Sequence, residues 1–338
     1  MPQSMLGIIN ATYELDTFQN LTAHRSIAAL PFAGRYRLID FMLSNMVNSG
    51  ITSVAIFTGH GVRSLMDHLG CGKQWDLDRK RDGLFVFTPD GKSKNEEFGS
   101  FSHLAKNFTF FLRSRQKYVV ITNCNIIGPI NFSSVLDHHI ETEANITEIV
   151  HNGESLHTYI LEKELLLSLF EQYKDQGYYS ILDVVNERLE KFKVERYECK
   201  EYIATIETLE SYYKHSMEML EAEAYYQVFT KDEPIFTKVK DEPPTRYKIG
   251  AKVSNSLIAN GCMIQGEVEN CIISRAVKIG KGAVIRNSII MQKTQIEDNC
   301  ILDGVIIDKD VKIESGVKLT GTKETPYVVE KGTVQKGS

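Results

Sequence analysis

AHRSIAALPFAGRYRLIDFMLSNMVNSGI, residues Ala23 to Ile51, is the stretch around which the rest of the chain is organised. A short apolar run, Leu6 to Asn10, precedes it and reads as a strand. The stretch passes a proline turn at Pro31 and enters a helix near Tyr36, which sets Leu38, Phe41, Met42 and Asn45 on one stripe. Gly50, free to take a positive φ, is the stop signal just past its end. SVAIF, Ser53 to Phe57, follows as a second strand. Strand, loop, helix and strand in this order make a βαβ unit, in which ligands sit at the loop leaving the first strand.

A different periodicity takes over from Lys248. Ile273, Ile279 and Ile285 are six residues apart, and so are Ile290, Ile296 and Leu302, and Ile307, Ile313 and Leu319. Each triplet lies seventeen residues after the one before. NSLI at 255, NCII at 270 and NSII at 287 mark one place in successive coils. Short aliphatic steps at this spacing predict a parallel β-helix of hexapeptide type, in which each strand buries one aliphatic side chain against the next coil. Acyltransferases also use such coils, generally with a histidine base, but no histidine follows His215. The β-helix therefore reads as a structural and assembly module.

At 338 residues, 42% hydrophobic and 25% charged, the chain is long enough for two domains with sizeable cores. A net charge of −5 without a long basic run excludes a nucleic-acid footprint and leaves small anionic metabolites as partners. No apolar run approaches the ~18 residues of a membrane span, and no signal peptide is visible, so a cytoplasmic location is expected. The six cysteines, at 71, 124, 199, 262, 271 and 300, form no CxxC pair and read as reduced thiols. The sequons at Asn10, Asn20, Asn107, Asn131 and Asn145 then read as chance.

LPFAGRYRLIDFMLSNMVNSGI resembles the sugar-nucleotide pyrophosphorylases, and among them the ADP-glucose pyrophosphorylases (glucose-1-phosphate adenylyltransferases) of bacterial glycogen synthesis. The resemblance implies an α/β architecture: a Rossmann-like nucleotidyltransferase (GT-A-like) domain over residues 1–224, a linker over 225–247 with prolines at 234, 243 and 244, and a left-handed parallel β-helix over 248–338. WDLDRKRDG, Trp75 to Gly83, resembles the family's segment at the edge of the nucleotide pocket.

The same resemblance implies a site that has been lost. Active members cradle a triphosphate in a glycine-rich loop ending in arginine, where a side chain would block the approach. Here the loop reads ATYELDTFQNLT: Thr12, Tyr13 and Leu15 stand at the glycine positions, Thr17 stands at the arginine, and Glu14 and Asp16 add negative charge. Ile27 stands at the lysine position. Cys124, closing the strand Tyr118 to Asn125, and Tyr202, in EYIATIETL, stand at the two magnesium-binding aspartates. Gly99 to His103, GSFSH, is what remains of a run near the base pocket. HNGESLHTYIL crosses, in a few residues, a region where relatives carry a sugar-phosphate segment. Phosphoryl transfer depends on positioning and on opposing cations, and losing one such partner costs roughly 10² to 10³ in rate.

Thus no catalytic residue, metal ligand or cofactor is expected on this chain, and magnesium belongs to a catalytic partner. The resemblance implies a regulatory subunit joining the catalytic subunit of ADP-glucose pyrophosphorylase in a mixed tetramer, with a homo-oligomer as its form alone. The alternatives are an active nucleotidyltransferase with a rebuilt site and a sensor of phosphorylated metabolites. For the sensor, Arg25 and Arg37, and more loosely Arg63 and Ser64, match positions through which the family binds activators between its two domains; His24 stands where some relatives use lysine. The bland reading of both arginines is a solvated or salt-bridged surface residue. His138 and His139 are adjacent on an expected helix, Ser133 onward, so their side chains diverge by about 100° and cannot share one ion. LEKELLLSLFEQYKDQG, Leu161 to Gly177, reads as an amphipathic helix with core leucines.

Overall fold

The computed structural model describes residues 4–12, 16–59, 61–88, 100–173, 179–187 and 191–336. Its first half is built on one sheet of seven strands: β1 (Met5–Ala11), β2 (Ser53–Thr58), β3 (Gly83–Phe87), β4 (Tyr118–Asn123), β5 (Ile146–His151), β6 (Glu154–Glu162) and β7 (Val194–Glu198). Their order is β7-β5-β6-β4-β1-β2-β3. β1 lies between β2 and β4 and runs parallel to both, as the βαβ reading requires. Helices cover both faces, so β1 is buried along nearly its whole length: Met5 and Ile9 face one core, Leu6 and Ile8 the other.

The helix of the opening stretch is Leu38–Asn48, with Leu38, Phe41, Met42 and Asn45 all buried, and Gly50 has φ +78°. It starts two residues later than the sequence suggests. Pro31–Phe32 and Tyr36–Arg37 pair as a two-residue antiparallel ribbon turned by Ala33 and Gly34, both at positive φ. The Asp40 carboxylate accepts the Arg37 N–H at 3.0 Å and so fixes the first helical turn at Leu38. The ribbon's tip rests on the other half of the molecule, since a Cβ on Gly34 would lie 3.4 Å from the Ile273 carbonyl.

Other boundaries move for similar local reasons. Leu161 and Glu162 pair with β4 as the end of β6, so the following helix is Lys163–Tyr173 rather than one from Leu161; residues 174–178 lie outside the described part. The segment 151–161 is a tight hairpin turned by Asn152 and Gly153 at φ +52° and +79°, the primed-turn chemistry that suits strand twist. The strand expected to reach Asn125 ends at Asn123.

Residues 246–335 form the left-handed parallel β-helix, three faces of short strands in sheets of six, five and five. Its register is the sequence period made visible: Ile273 pairs with Ile290, Ile290 with Ile307 and Ile307 with Val329. An extra loop, 321–326, precedes the last of these pairings. The expected linker is shorter at both ends, because helix Ala222–Val228 occupies its start and Arg246–Tyr247 already pairs with Met263–Ile264. That leaves 229–245 as the extended connection. The two halves share one core: Ile272, Ile289, Met291 and Ile306 of the β-helix pack in the same buried cluster as Leu30, Phe32 and Phe41. Among the described residues no helix is long and apolar enough to cross a membrane.

Candidate functional site

A parallel sheet opens to ligands at the carboxyl ends of its central strands, here β1 and β4. Thr12, just past β1, is buried and folds back on the strand: its N–H and hydroxyl both donate to Asn10 Oδ1, at 3.1 and 2.5 Å. Asn10 Nδ2 donates to Asn123 Oδ1 at the end of β4, 3.2 Å away. Asn10 and Asn123 are register partners on neighbouring strands, so this is a cross-strand amide pair that commits both side chains at the strand ends. Ile27 sits in a short 3-10 turn, Ile27–Ala29, and is buried in the core. Thr17 is exposed and donates its hydroxyl to the Glu207 carbonyl at 2.8 Å. Tyr13, Glu14, Leu15 and Gly99 lie outside the described residues.

The two positions that resemblance assigns to magnesium ligands do not fit that ion. Cys124 is 1% exposed, and burial pushes its thiol up to about 12, so it is a neutral sulfur where a hard cation takes oxygen. Tyr202 donates its hydroxyl to Glu218 Oε2 at 2.6 Å, beside His215 Nδ1 at 3.3 Å. Burial and then the Glu218 carboxylate raise the phenol above its ordinary range, which keeps it a neutral donor. Among the described residues, no three His, Cys, Asp or Glu side chains gather in a metal-holding arrangement. The adjacent histidines diverge: His139 Nδ1 lies 2.8 Å from Thr147 Oγ1, whereas the His138 ring meets Tyr197 edge-on.

Positive charge collects instead at the seam between the two halves. Arg25 is buried, and its Nη2 donates to both carboxylate oxygens of Asp308, at 2.6 and 2.5 Å. That ion pair occupies Arg25, so it is a cross-domain tie and not a free ligand-binding cation. Arg37 is half-buried and donates through Nη1 to the carbonyl and hydroxyl of Ser64, at 2.5 and 3.1 Å. Ser64 therefore orients Arg37, while Arg63 points to solvent as an exposed residue. Burial, with Arg25 and Arg275 against it and Asp40 and Asp67 in its favour, lowers Arg37 to about 10. Lys309 is half-buried; burial, followed by Arg37 and Arg25, brings it down to about 7 despite Asp308. Arg275 is buried, held by the Lys238 carbonyl at 3.4 Å, and Lys240 adds its charge from the connection. Among the described residues no carboxylate lies within ion-pair distance of Arg37 or Lys309. Cations crowd here while the nearest carboxylates are committed elsewhere, Asp308 to Arg25 and Asp40 to His68, so the local potential is positive.

Of the effector candidates read from the sequence, Arg37 faces this seam with Asp40 and Asp67 nearby but, among the described residues, without an ion pair of its own. Lys240, Arg275 and Lys309 were not legible as its companions. They come from the connection and from separate coils, and only tertiary packing brings them to Arg37.

An α/β sheet followed by a hexapeptide β-helix is the architecture of the nucleotidyltransferase class of protein. Residues 17–159 match the nucleotidyl transferase family and residues 243–327 the GlmU-like C-terminal hexapeptide family. The chain is 50% identical over 332 residues to the glycogen biosynthesis protein GlgD of Bacillus subtilis (strain 168), covering 98% of this chain and 97% of that one. It is 56% identical over 337 residues to the GlgD of Geobacillus stearothermophilus, with 99% and 98% covered. The glucose-1-phosphate adenylyltransferase of Bacillus anthracis is 28% identical over 352 residues, with 91% and 93% covered. The chain belongs to the GlgD family of glycogen biosynthesis proteins, which is related to glucose-1-phosphate adenylyltransferase.

Proposed function

We propose that this chain is the regulatory, largely non-catalytic subunit of a cytoplasmic glucose-1-phosphate adenylyltransferase. In this reading it modulates or stabilises the catalytic subunit that makes ADP-glucose and pyrophosphate from ATP and glucose 1-phosphate, in a mixed tetramer. The observation that carries the proposal is the chemistry of the side chains at the strand ends. Thr12, Asn10 and Asn123 are bonded to one another, Cys124 is a buried thiol, and Tyr202 is committed to Glu218. Phosphoryl transfer needs cations and a metal already aimed at the developing charge, and these residues supply neither a cation nor a carboxylate to hold a metal.

Docking on a partner is supported by the open first coil of the β-helix. Lys252–Ser254 is an edge strand, and beside it Tyr247 and Ile249 are 57% and 99% exposed. An unpaired edge carrying exposed apolar groups is a surface that pairs with another chain. The cation seam supports a second, compatible reading, in which a small anionic metabolite binds beside Arg37 and Lys309 and sets the state of the assembly.

The test is an assay of pyrophosphate release by the purified chain alone and with its catalytic partner. The expected result is no turnover alone and a changed rate or stability of the partner in the mixture. Turnover by the isolated chain, abolished by a single change such as Asn123→Ala, would overturn the proposal.

A further inference from the structure

A groove of about 500 Å³ lies between helix Leu209–Glu218 and one corner of the β-helix, with loop 321–326 at its side. It is separate from the cation seam, and among the described residues none of the lost nucleotide positions lines it directly. Its β-helix wall is a ladder of carboxamides. Asn255, Asn270 and Asn287 occupy the same corner of successive coils at φ +39°, +52° and +45°. Asn255 Nδ2 donates to Asn270 Oδ1 at 2.8 Å, Asn270 Nδ2 to Asn287 Oδ1 at 3.4 Å, and Asn287 Nδ2 to Asp303 Oδ1 at 2.9 Å. Each rung uses one of its two amide hydrogens, and Asn270 and Asn287 also use one carbonyl lone pair, so each of the three keeps a donor and an acceptor.

The opposite wall is equally fixed. Glu218 lines the groove and is held by the Tyr202 hydroxyl at 2.6 Å and by His215 Nδ1 at 2.7 Å. The tyrosine standing at a lost metal position thus holds, from outside the groove, the carboxylate that lines it. Met217 and Leu220 supply apolar lining between the polar walls.

The charges select among ligands. Glu210, Glu218, Glu221 and Glu324 outnumber Lys214 and Lys323, which disfavours phosphates. The two lysines and the hydrogen-bonded state of Glu218 disfavour a simple cation. Paired donors and acceptors, a held carboxylate and an apolar patch suit a molecule that is neutral, rich in hydroxyls and less polar on one face. We propose that this groove binds a neutral saccharide, its hydroxyls shared between the asparagine ladder and Glu218 and its ring face laid on Met217 and Leu220. This proposal is independent of the regulatory-subunit reading, and either can fail without the other.

Maltotetraose is the probe, because relatives of this chain are named for glycogen biosynthesis. Binding is read by saturation-transfer NMR and titration calorimetry on the full chain. Asn255→Gly and Asn270→Gly keep the positive φ and remove a rung, while Tyr202→Phe keeps the ring and removes one of the two holds on Glu218. Each change is expected to weaken binding about tenfold, the scale of one or two lost hydrogen bonds, with thermal stability reported alongside to exclude unfolding. Absence of binding at tens of millimolar would overturn the proposal. So would binding that all three variants retain, or salt-sensitive binding of spermidine in place of the saccharide.

Discussion

Lys309 stands next to Asp308, yet its ammonium has no carboxylate of its own, because Arg25 holds that one with Nη2. Its folded value of about 7 lies below the ordinary 10.5, so between those limits the unfolded chain binds the extra proton. Stability therefore rises with pH across that window, and below about 7 the folded protein carries the full repulsion. An anion beside Lys309 favours the ammonium, so above neutrality its binding must take up a proton. Sulfate, whose charge does not change near neutral pH, is expected to raise the melting temperature more at about pH 6.5 than at about pH 8.5. Lys309→Met should remove most of that difference; an equal sulfate effect at both pH values in the native chain would contradict the assignment. Arg37 was legible beforehand because it lies within a recognisable string. Lys309 was not, because a six-residue period reports which positions turn inward and is silent about what a corner residue faces across a domain seam.

At the scale of elements, the β-helix was legible because its strands obey one rule, an aliphatic residue at each inward step, and the register Ile273 to Ile290 to Ile307 follows the spacing directly. The corners follow a second rule. A residue at positive φ must be glycine or carry strain, and asparagine is the side chain that tolerates this while bonding its neighbours. Asn287 meets both conditions, with φ +45° and ladder bonds to Asn270 and Asp303. Asn287→Ala combines left-handed strain with lost hydrogen bonds and is expected to cost about 2 kcal/mol, whereas Asn287→Gly, relieved of the strain, should cost about half of that. Denaturant midpoints at constant slope would check this, and equal losses for both variants would show that the backbone conformation is not at issue. The ribbon at Pro31–Phe32 and Tyr36–Arg37 was illegible because two-residue strands have no period to detect. The sequence starts helix Lys163–Tyr173 two residues early because Leu161 suits a buried strand as well as a helical face.

For the whole molecule, the question is whether two recognisable domains behave as one. The apolar core runs unbroken from Leu30 and Phe32 to Ile272, Ile289 and Ile306, and the Arg25–Asp308 ion pair lies within that seam at 3% and 1% side-chain exposure. Asp308 is further committed: its Oδ1 accepts the Lys309 N–H at 2.6 Å, and its carbonyl accepts the Thr294 hydroxyl at 2.9 Å. A buried pair of this kind contributes little over a well-packed apolar substitute, but removing one partner leaves an uncompensated charge. Arg25→Met is therefore expected to destabilise the protein by about 3–5 kcal/mol, and Arg25→Met with Asp308→Leu to recover most of the loss. Because the core is shared, the loss should appear in both halves at once, as one unfolding transition seen equally by near-ultraviolet signals of the aromatic-rich α/β half and by far-ultraviolet signals of the whole. Two separated transitions in the native chain would mean that the seam is a contact between independent domains. An anion at Arg37 and Lys309 would then report on domain contact alone, rather than on the stability of the entire subunit.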